Sequence, residues 1–227
     1  MMRFVIGDIH GSYRAMIQCF ERSGFSRAND LLICLGDLAD GWPDTGRVFD
    51  ELLAIKNFVL IRGNHDQWLL NWFRTGEAPE IWLNQGGYQT ISSMGNKKPE
   101  QYHELLERSV LYYKMDNYFF VHGGILTDRP LEQQSSDVFL WDRSLIKMAL
   151  LERDANAQRL TEYDMVFVGH TPTINFGPPE PITNRGVCLL DTGAGWPGGK
   201  LTILDISNMN YYSSDPVDLL YPGISVR

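Results

Sequence analysis

Strand-length apolar runs that each stop at a polar residue constrain this chain most. "RFVIG" (3–7), "LLICLG" (31–36), "FVLIRG" (58–63), "YFFVHGG" (118–124) and "MVFVGH" (165–170) are rich in Val, Ile and Phe and close on glycine or a polar side chain. That is the pattern of strands buried on both faces. "VCLLDTG" and "LTILDI" read as two more. Helix patterns separate the first three runs: "SYRAMIQCFERSGF", with Ser12 as N-cap, and "DTGRVFDELLAIKN", with Asp44 as N-cap and apolar Val48, Phe49, Leu52, Leu53 and Ile55. The alternation predicts β-α-β-α-β, hence parallel strands joined by right-handed crossovers. Later strands lie closer together, around turn signals such as "GPPEP" and "WPGG". They predict a second, more antiparallel sheet. Residues 67 to 115 read as helical, with "QWLLNWFRTG" and "PEQYHELLERS" flanking a loop at "NQGGYQT".

A chain of 227 residues suits one domain over 1–227, at about 150 residues per domain. A composition 44% hydrophobic and 21% charged is that of an ordinary globular protein. The net charge of −8 argues against strong nucleic-acid binding, which needs clustered Lys and Arg. A phosphate handled by such a chain must be neutralised locally, by metal ions or a few placed arginines. Cys19, Cys34 and Cys188 form no CxxC pair and fit a reducing compartment as core thiols. "MMRFVIGDIHG" lacks the features of a secretory signal, and no apolar run approaches the ~18 residues of a membrane span. A cytoplasmic protein without a membrane partner is expected.

What ends each strand carries the chemistry: "GDIHG" (Asp8, His10), "GDLAD" (Asp37, Asp40), "RGNHD" (Asn64, His65, Asp66), "HGG" (His122) and "GHT" (His170). Loops at the carboxyl ends of strands in an open α/β sheet converge on one edge. Taken singly, each Asp or Asn suits a turn former and each His a hydrogen-bonded loop residue. Five strand ends with the same chemistry favour a shared site. His103, on a helix among Glu and Gln, takes no role. Nitrogen and oxygen donors without thiolates suit Mn²⁺, Fe or Zn²⁺. These candidates exceed the demand of one tetrahedral ion, whereas two ions sharing a carboxylate accommodate a larger set. Such a pair clamps a phosphoryl group and lowers the pKa of a bridging water.

These five blocks, in this order, resemble the signature of the calcineurin-like metallophosphoesterases, within them the phosphoprotein phosphatase branch, and specifically the small bacterial and phage serine/threonine phosphatases and their diadenosine tetraphosphatase relatives. The resemblance runs from Met2 to about Ile206. It implies a four-layer αββα sandwich of two mixed sheets, with two divalent ions at one edge: Mn²⁺, or alternatively Fe or Zn²⁺. By position it implies that Asp8 and His10 hold the first ion, that Asp37 bridges, and that Asn64, His122 and His170 hold the second. His65 is then the general acid, oriented by Asp40. Arg143 in "FLWDRS" matches a phosphate-clamping arginine, with Asn64 as a further substrate contact, and Arg62 either contacts the phosphate or ties down its own loop. Where the family reads Asp-Arg-Gly this chain reads Asp40-Gly41-Trp42, so one cationic fork is missing. Trp42 either stacks on an aromatic part of the substrate or packs a loop. The glycines of "NQGGYQT" imply a tight backbone turn near the substrate. "DTGAGWPGGKLTILDI" resembles a segment whose strands return beneath the site, with Asp191 structural.

The function so implied is hydrolysis of phosphomonoesters, with phosphoserine or phosphothreonine on protein as substrate. Cleavage of a dinucleoside tetraphosphate, or of another phosphoanhydride or diester in a small nucleotide substrate, is the alternative. A scaffold that kept the fold and lost the reaction is the third reading. The intact set of candidate ligands, with His65 and Asp40, opposes it.

Overall fold

The computed structural model of the chain describes residues 1–95, 97–151 and 158–224. Its strands are β1 (Arg3–Ile6), β2 (Leu31–Cys34), β3 (Asn57–Leu60), β4 (Tyr112–Met115), β5 (Tyr118–Val121), β6 (Met165–Val168), β7 (Ile182–Asn184), β8 (Val187–Leu189), β9 (Thr202–Asp205) and β10 (Tyr211–Ser213). They form two five-stranded sheets in the orders β10-β9-β1-β2-β3 and β4-β5-β6-β8-β7. In the first, β1, β2 and β3 are parallel and β9 and β10 antiparallel. In the second, β5, β6 and β8 are parallel between antiparallel edges β4 and β7.

The helices are α1 (Tyr13–Ser23), α2 (Thr45–Leu53), α3 (Asn64–Thr75), α4 (Glu80–Trp82), α5 (Tyr88–Ser93), α6 (Glu100–Arg108), α7 (Ser136–Trp141), α8 (Ser144–Leu151) and α9 (Val217–Leu220). The period of two along each strand sorts side chains between layers. Val5, Ile33, Leu35, Phe120, Phe167, Cys188, Leu190 and Leu204 meet between the sheets, where the Phe120 and Phe167 rings stack at 5.0 Å. Their neighbours Phe4, Ile6, Leu32 and Cys34 face outward under Met16, Phe20, Val48 and Phe49 of α1 and α2. Phe119, Val121, Val166 and Val168 face outward under Phe139, Leu145 and Ile146 of α7 and α8. Two sheets face to face with helices outside are the αββα sandwich expected.

Three expectations change. "LTILDI" does not join the later strands: as β9 it pairs antiparallel with β1, so the second sheet is not mainly antiparallel. "NQGGYQT" is not a plain loop but a wide helical turn at Leu83–Gly87, broken at Gly86 (φ 107°), that runs into α5. Ser12 and Asp44 stand at their helix starts without side-chain caps. The Ser12 hydroxyl donates to the Ile9 carbonyl (2.5 Å) and Asp44 accepts the Tyr221 hydroxyl (2.8 Å). No helix among the described residues is long and apolar enough to cross a membrane.

Candidate active site

The parallel strands of both sheets point their carboxyl ends at one edge, and the polar residues that follow β1, β2, β3, β5 and β6 are gathered there. Asp8, His10, Asp37, Asn64, His65, His122 and His170 are all buried. All but His122 line one cavity of about 450 Å³, together with Gln85, Trp141, Arg143, Thr171, Asn175, Phe176, Asp191 and Trp196.

Asp37 is the hinge of the arrangement. Its carboxylate belongs to one donor group with His10 and His65 and to another with His122 and His170, the donor atoms of each lying within 4.8 Å of one another. Oδ1 is 3.4 Å from His122 Nε2, and Oδ2 is 3.7 Å from His10 Nε2 and 4.0 Å from His65 Nε2. The far ring nitrogens are fixed: His10 Nδ1–H donates to the Asp40 carbonyl and His122 Nδ1–H to the Leu35 carbonyl, both at 2.8 Å. That leaves the Nε2 atoms turned inward, as ligating imidazoles need.

These residues fit cations. Asp8 Oδ1 and His170 Nε2 are buried with no hydrogen-bond partner, a costly state unless another group completes them. Burial keeps His122 neutral, so the bare Nε2 faces only acceptors, Asn64 Oδ1 at 2.9 Å and Asp37 Oδ1. Burial, then the charges of Asp191 and Asp37, push Asp8 well above the ordinary carboxylate range, even though it accepts the His170 backbone N–H at 2.9 Å. Burial works to raise Asp37 too, but His122, His65, His10 and His170 outweigh it and hold that carboxyl below its ordinary range. Burial, then His122 and Arg143, pull His170 down to about 2, leaving a neutral nitrogen donor.

Beside this group His65 Nδ1–H donates to Asp40 Oδ2 at 2.8 Å. Two further residues hold Asp40, and neither stood out in the sequence: Trp82 Nε1–H donates to Oδ2 and the Thr90 hydroxyl to Oδ1, both at 2.7 Å. Thr90 Oγ1 also accepts the Asp40 backbone N–H at 2.9 Å. "NQGGYQT" therefore does more than turn: it carries Thr90 to Asp40, while Gln85 reaches the cavity wall. Gly86 lies so close to the Asp40–Gly41 backbone that a Cβ there would meet Gly41 N at 2.7 Å. Asp66, singled out in "RGNHD" without a role, has one here. Its carboxylate accepts the backbone N–H groups of Asp37, Leu38 and Gly63 at 2.8 to 3.0 Å, lacing the β2 loop to the β3 loop.

Tight turns position the site. Seven non-glycine residues among those described have positive φ, and four are His10 (50°), Asp37 (51°), Asp40 (69°) and His170 (62°). The chain must turn sharply within two to six residues of the strand ends to aim these side chains, which costs backbone energy. Gly169 spares the space this needs, since a Cβ there would lie 2.3 Å from Asp8 Oδ1.

Other expected residues separate. Arg143 lines the cavity, half-buried, with Nη2 donating to the His170 carbonyl at 3.4 Å. Arg62 does not line it, so of its two expected roles the substrate contact is corrected and the loop tie stands. Its guanidinium donates to Ser109 Oγ (2.8 Å), Gln67 Oε1 (3.1 Å) and the Leu106 and Ser109 carbonyls (3.2 Å each), tying the β3 loop to α6. Trp42 packs rather than stacking on a substrate: it is fully buried, stacks on Tyr221 at 5.0 Å and donates Nε1–H to the Ala194 carbonyl at 2.6 Å. Gly41 has φ 140° and lies against the His10 carbonyl, a backbone that suits no side chain. Asp191, expected as purely structural, lines the cavity and accepts the Gly193 N–H at 2.9 Å. His103 lies on α6, 3.2 Å from Glu107 and stacked on Phe73.

Comparison with known proteins matches residues 1–206 to the family described as Calcineurin-like phosphoesterase. The chain is 25% identical to Serine/threonine-protein phosphatase 1 of Salmonella typhimurium over 209 residues, 89% of this chain and 91% of that one. It is 26% identical to the symmetrical bis(5'-nucleosyl)-tetraphosphatase of Nitrosomonas europaea over 134 residues, 59% of this chain and 48% of that one. In fold it resembles a crystal structure of a metallophosphoesterase from Sphaerobacter thermophilus (TM-score 0.59, 16% identity, covering 100% of this chain and 90% of that one).

Proposed function

The chain belongs to the calcineurin-like phosphoesterase family, and from that footing we propose that it hydrolyses phosphate monoesters, phosphoserine and phosphothreonine side chains of proteins among them. The observation that carries this reading is a single carboxylate, Asp37, shared by two clusters of buried donors, with the His65–Asp40 pair at its side. Asp8 and His10 would hold one divalent ion, Asn64, His122 and His170 a second, and Asp37 both. Mn²⁺ is our first choice, Fe or Zn²⁺ the others. When bound, such ions supply a water of lowered pKa and positive charge on the phosphate oxygens.

The remaining chemistry belongs to the chain's own residues. Arg143 presents its guanidinium to the phosphate, as a planar fork suited to two oxygens. His65 carries a proton to the departing oxygen, and Asp40 fixes its ring so that the proton points into the cavity. Acid catalysis of this kind contributes about 10² to 10⁴ in rate. Three buried cysteines without disulfides support a reducing compartment, the cytoplasm.

A second reading, cleavage of a dinucleoside polyphosphate, has one observation in its favour. Among the described residues Arg143 is the lone Lys or Arg in the cavity lining, and a monoester dianion gains most from paired guanidinium forks. Turnover of p-nitrophenyl phosphate, a phosphoserine peptide and diadenosine tetraphosphate separates the two. We expect the monoesters to lead in kcat/KM. A ten-fold preference for the tetraphosphate overturns the first reading in favour of the second, and no turnover of any by protein loaded with two metals overturns both.

A further inference from the structure

The cavity has a charged floor and an aromatic rim. Trp141, Trp196 and Phe176 line its mouth, with 38%, 41% and 44% of their surfaces open to solvent. Large apolar side chains left open together, around the mouth of a polar cleft, mark a binding surface.

Trp141 is not loosely hung. It meets Trp68 edge-on at 5.3 Å and His170 edge-on at 5.6 Å, and Trp68 in turn meets His65 edge-on at 5.0 Å. A chain of rings thus runs from the expected proton donor to an expected metal ligand, with Trp141 as its outermost member. Trp196 is set by a tight turn, its N–H donating to the Gly193 carbonyl and its carbonyl accepting from Gly199. The preceding Gly195 lies on the His10 ring, where a Cβ would come within 2.7 Å of Cδ2. Between rim and floor sits Thr171. It is 6% exposed and lines the cavity, and its buried hydroxyl has no hydrogen-bond partner.

We propose that this rim is a subsite for a flat aromatic ring carried by the alcohol portion of the phosphate ester, stacked on Trp141 while the phosphate meets Arg143 and the floor. The inference rests on the hydrolytic reading above and narrows its substrates. A phenol ester and a nucleoside phosphate share this chemistry.

The test uses non-hydrolysable inhibitors, so that binding is read without the reaction. Benzylphosphonate and cyclohexylmethylphosphonate match in charge, reach and apolar bulk, and only the first is flat and aromatic. Ring stacking predicts about a three- to ten-fold lower inhibition constant for the benzyl compound. Trp141→Phe keeps most of that gap and Trp141→Leu closes it. Should Trp141→Leu fold poorly, Trp196→Leu in the same assay is expected to narrow the gap. Equal inhibition by the two phosphonates, or a gap untouched in both leucine variants, overturns the subsite. Among substrates, phosphotyrosine and adenosine 5'-phosphate distinguish the source of the ring, and a kcat/KM for phosphoserine equal to or above both also overturns it. An enzyme that hydrolyses every ester without regard to rings refutes only this inference. One that hydrolyses none refutes the reading beneath it.

Discussion

Thr90→Val is the most informative single substitution, because valine keeps the shape of threonine and removes only the hydroxyl. That hydroxyl donates to Asp40 Oδ1 at 2.7 Å and accepts the Asp40 N–H at 2.9 Å. A hydrogen bond to a charged group contributes about 1.5–3 kcal/mol, and a buried donor left unpaired costs about 1–3 kcal/mol. The two losses overlap, and we expect about 3 kcal/mol in all. In a chain of this size, each kcal/mol moves the melting temperature by about 2–4 °C, so thermal unfolding should drop by roughly 6–12 °C. The kinetic effect has a sharper signature. Asp40 keeps the His65 bond and the Trp82 bond at 2.7 Å, so the ring is loosened rather than lost. We expect about ten-fold in kcat, or ~1.4 kcal/mol, for esters whose leaving oxygen needs a proton. Phenyl phosphate needs one and 2,4-dinitrophenyl phosphate does not. The variant should slow on the first, hold its rate on the second, and recover on Thr90→Ser. An equal loss on both esters would refute the idea that Thr90 acts through His65.

Chelation should lower the melting temperature by roughly 5–10 °C, since removing bound cations abolishes their linkage stabilisation; an unmoved transition in calorimetry counts against a cation there. Gly169→Ala drives a methyl to 2.3 Å from Asp8 Oδ1, and elemental analysis should find about one metal per chain instead of two. Burial pushes Cys19 up to about 12 and Cys188 up to about 11, and raises Cys34 as well, so the native protein should not react with an aromatic disulfide reagent at pH 8, whereas all three thiols should react in denaturant. Trp42→Phe gives up the bond to the Ala194 carbonyl and should cost about 1 kcal/mol while leaving kcat/KM ratios among esters unchanged; an altered substrate preference would return Trp42 to the cleft.

Much of the sandwich was legible because strand patterns and glycine-led turns are local. Phe4-Val5-Ile6 and Val166-Phe167-Val168 announce strands, and the candidate ligands stand one to four residues beyond strand ends. The sheet to which a strand belongs was not legible. β9 joins β1 across some two hundred residues, a choice fixed by tertiary pairing rather than by its own pattern. The supports of Asp40 were hidden for the same reason, Trp82 lying 42 and Thr90 50 positions away. Trp82 reads as core and Thr90 as loop until the turn at Gly86 swings both onto one carboxylate. Arg62 misled in the opposite sense. Its closeness in sequence to Asn64 suggested the phosphate, yet α6 offers its guanidinium a full set of acceptors on the other side.

The left-handed turns at His10, Asp37, Asp40 and His170 imply a reserve of stability that the molecule forgoes. A non-glycine residue in that conformation costs roughly 1–2 kcal/mol, so four of them together consume an amount comparable to the 5–15 kcal/mol of net stability typical of a folded domain. Glycine at any of these positions would relieve the backbone while leaving the layers beneath untouched. A glycine variant at position 10 or 40 should therefore lose less stability than its severed hydrogen bonds would suggest, even as it loses its chemistry. The edge of the sandwich is thus poised against its own fold, held in shape by Asp66, Thr90 and whatever cations fill it.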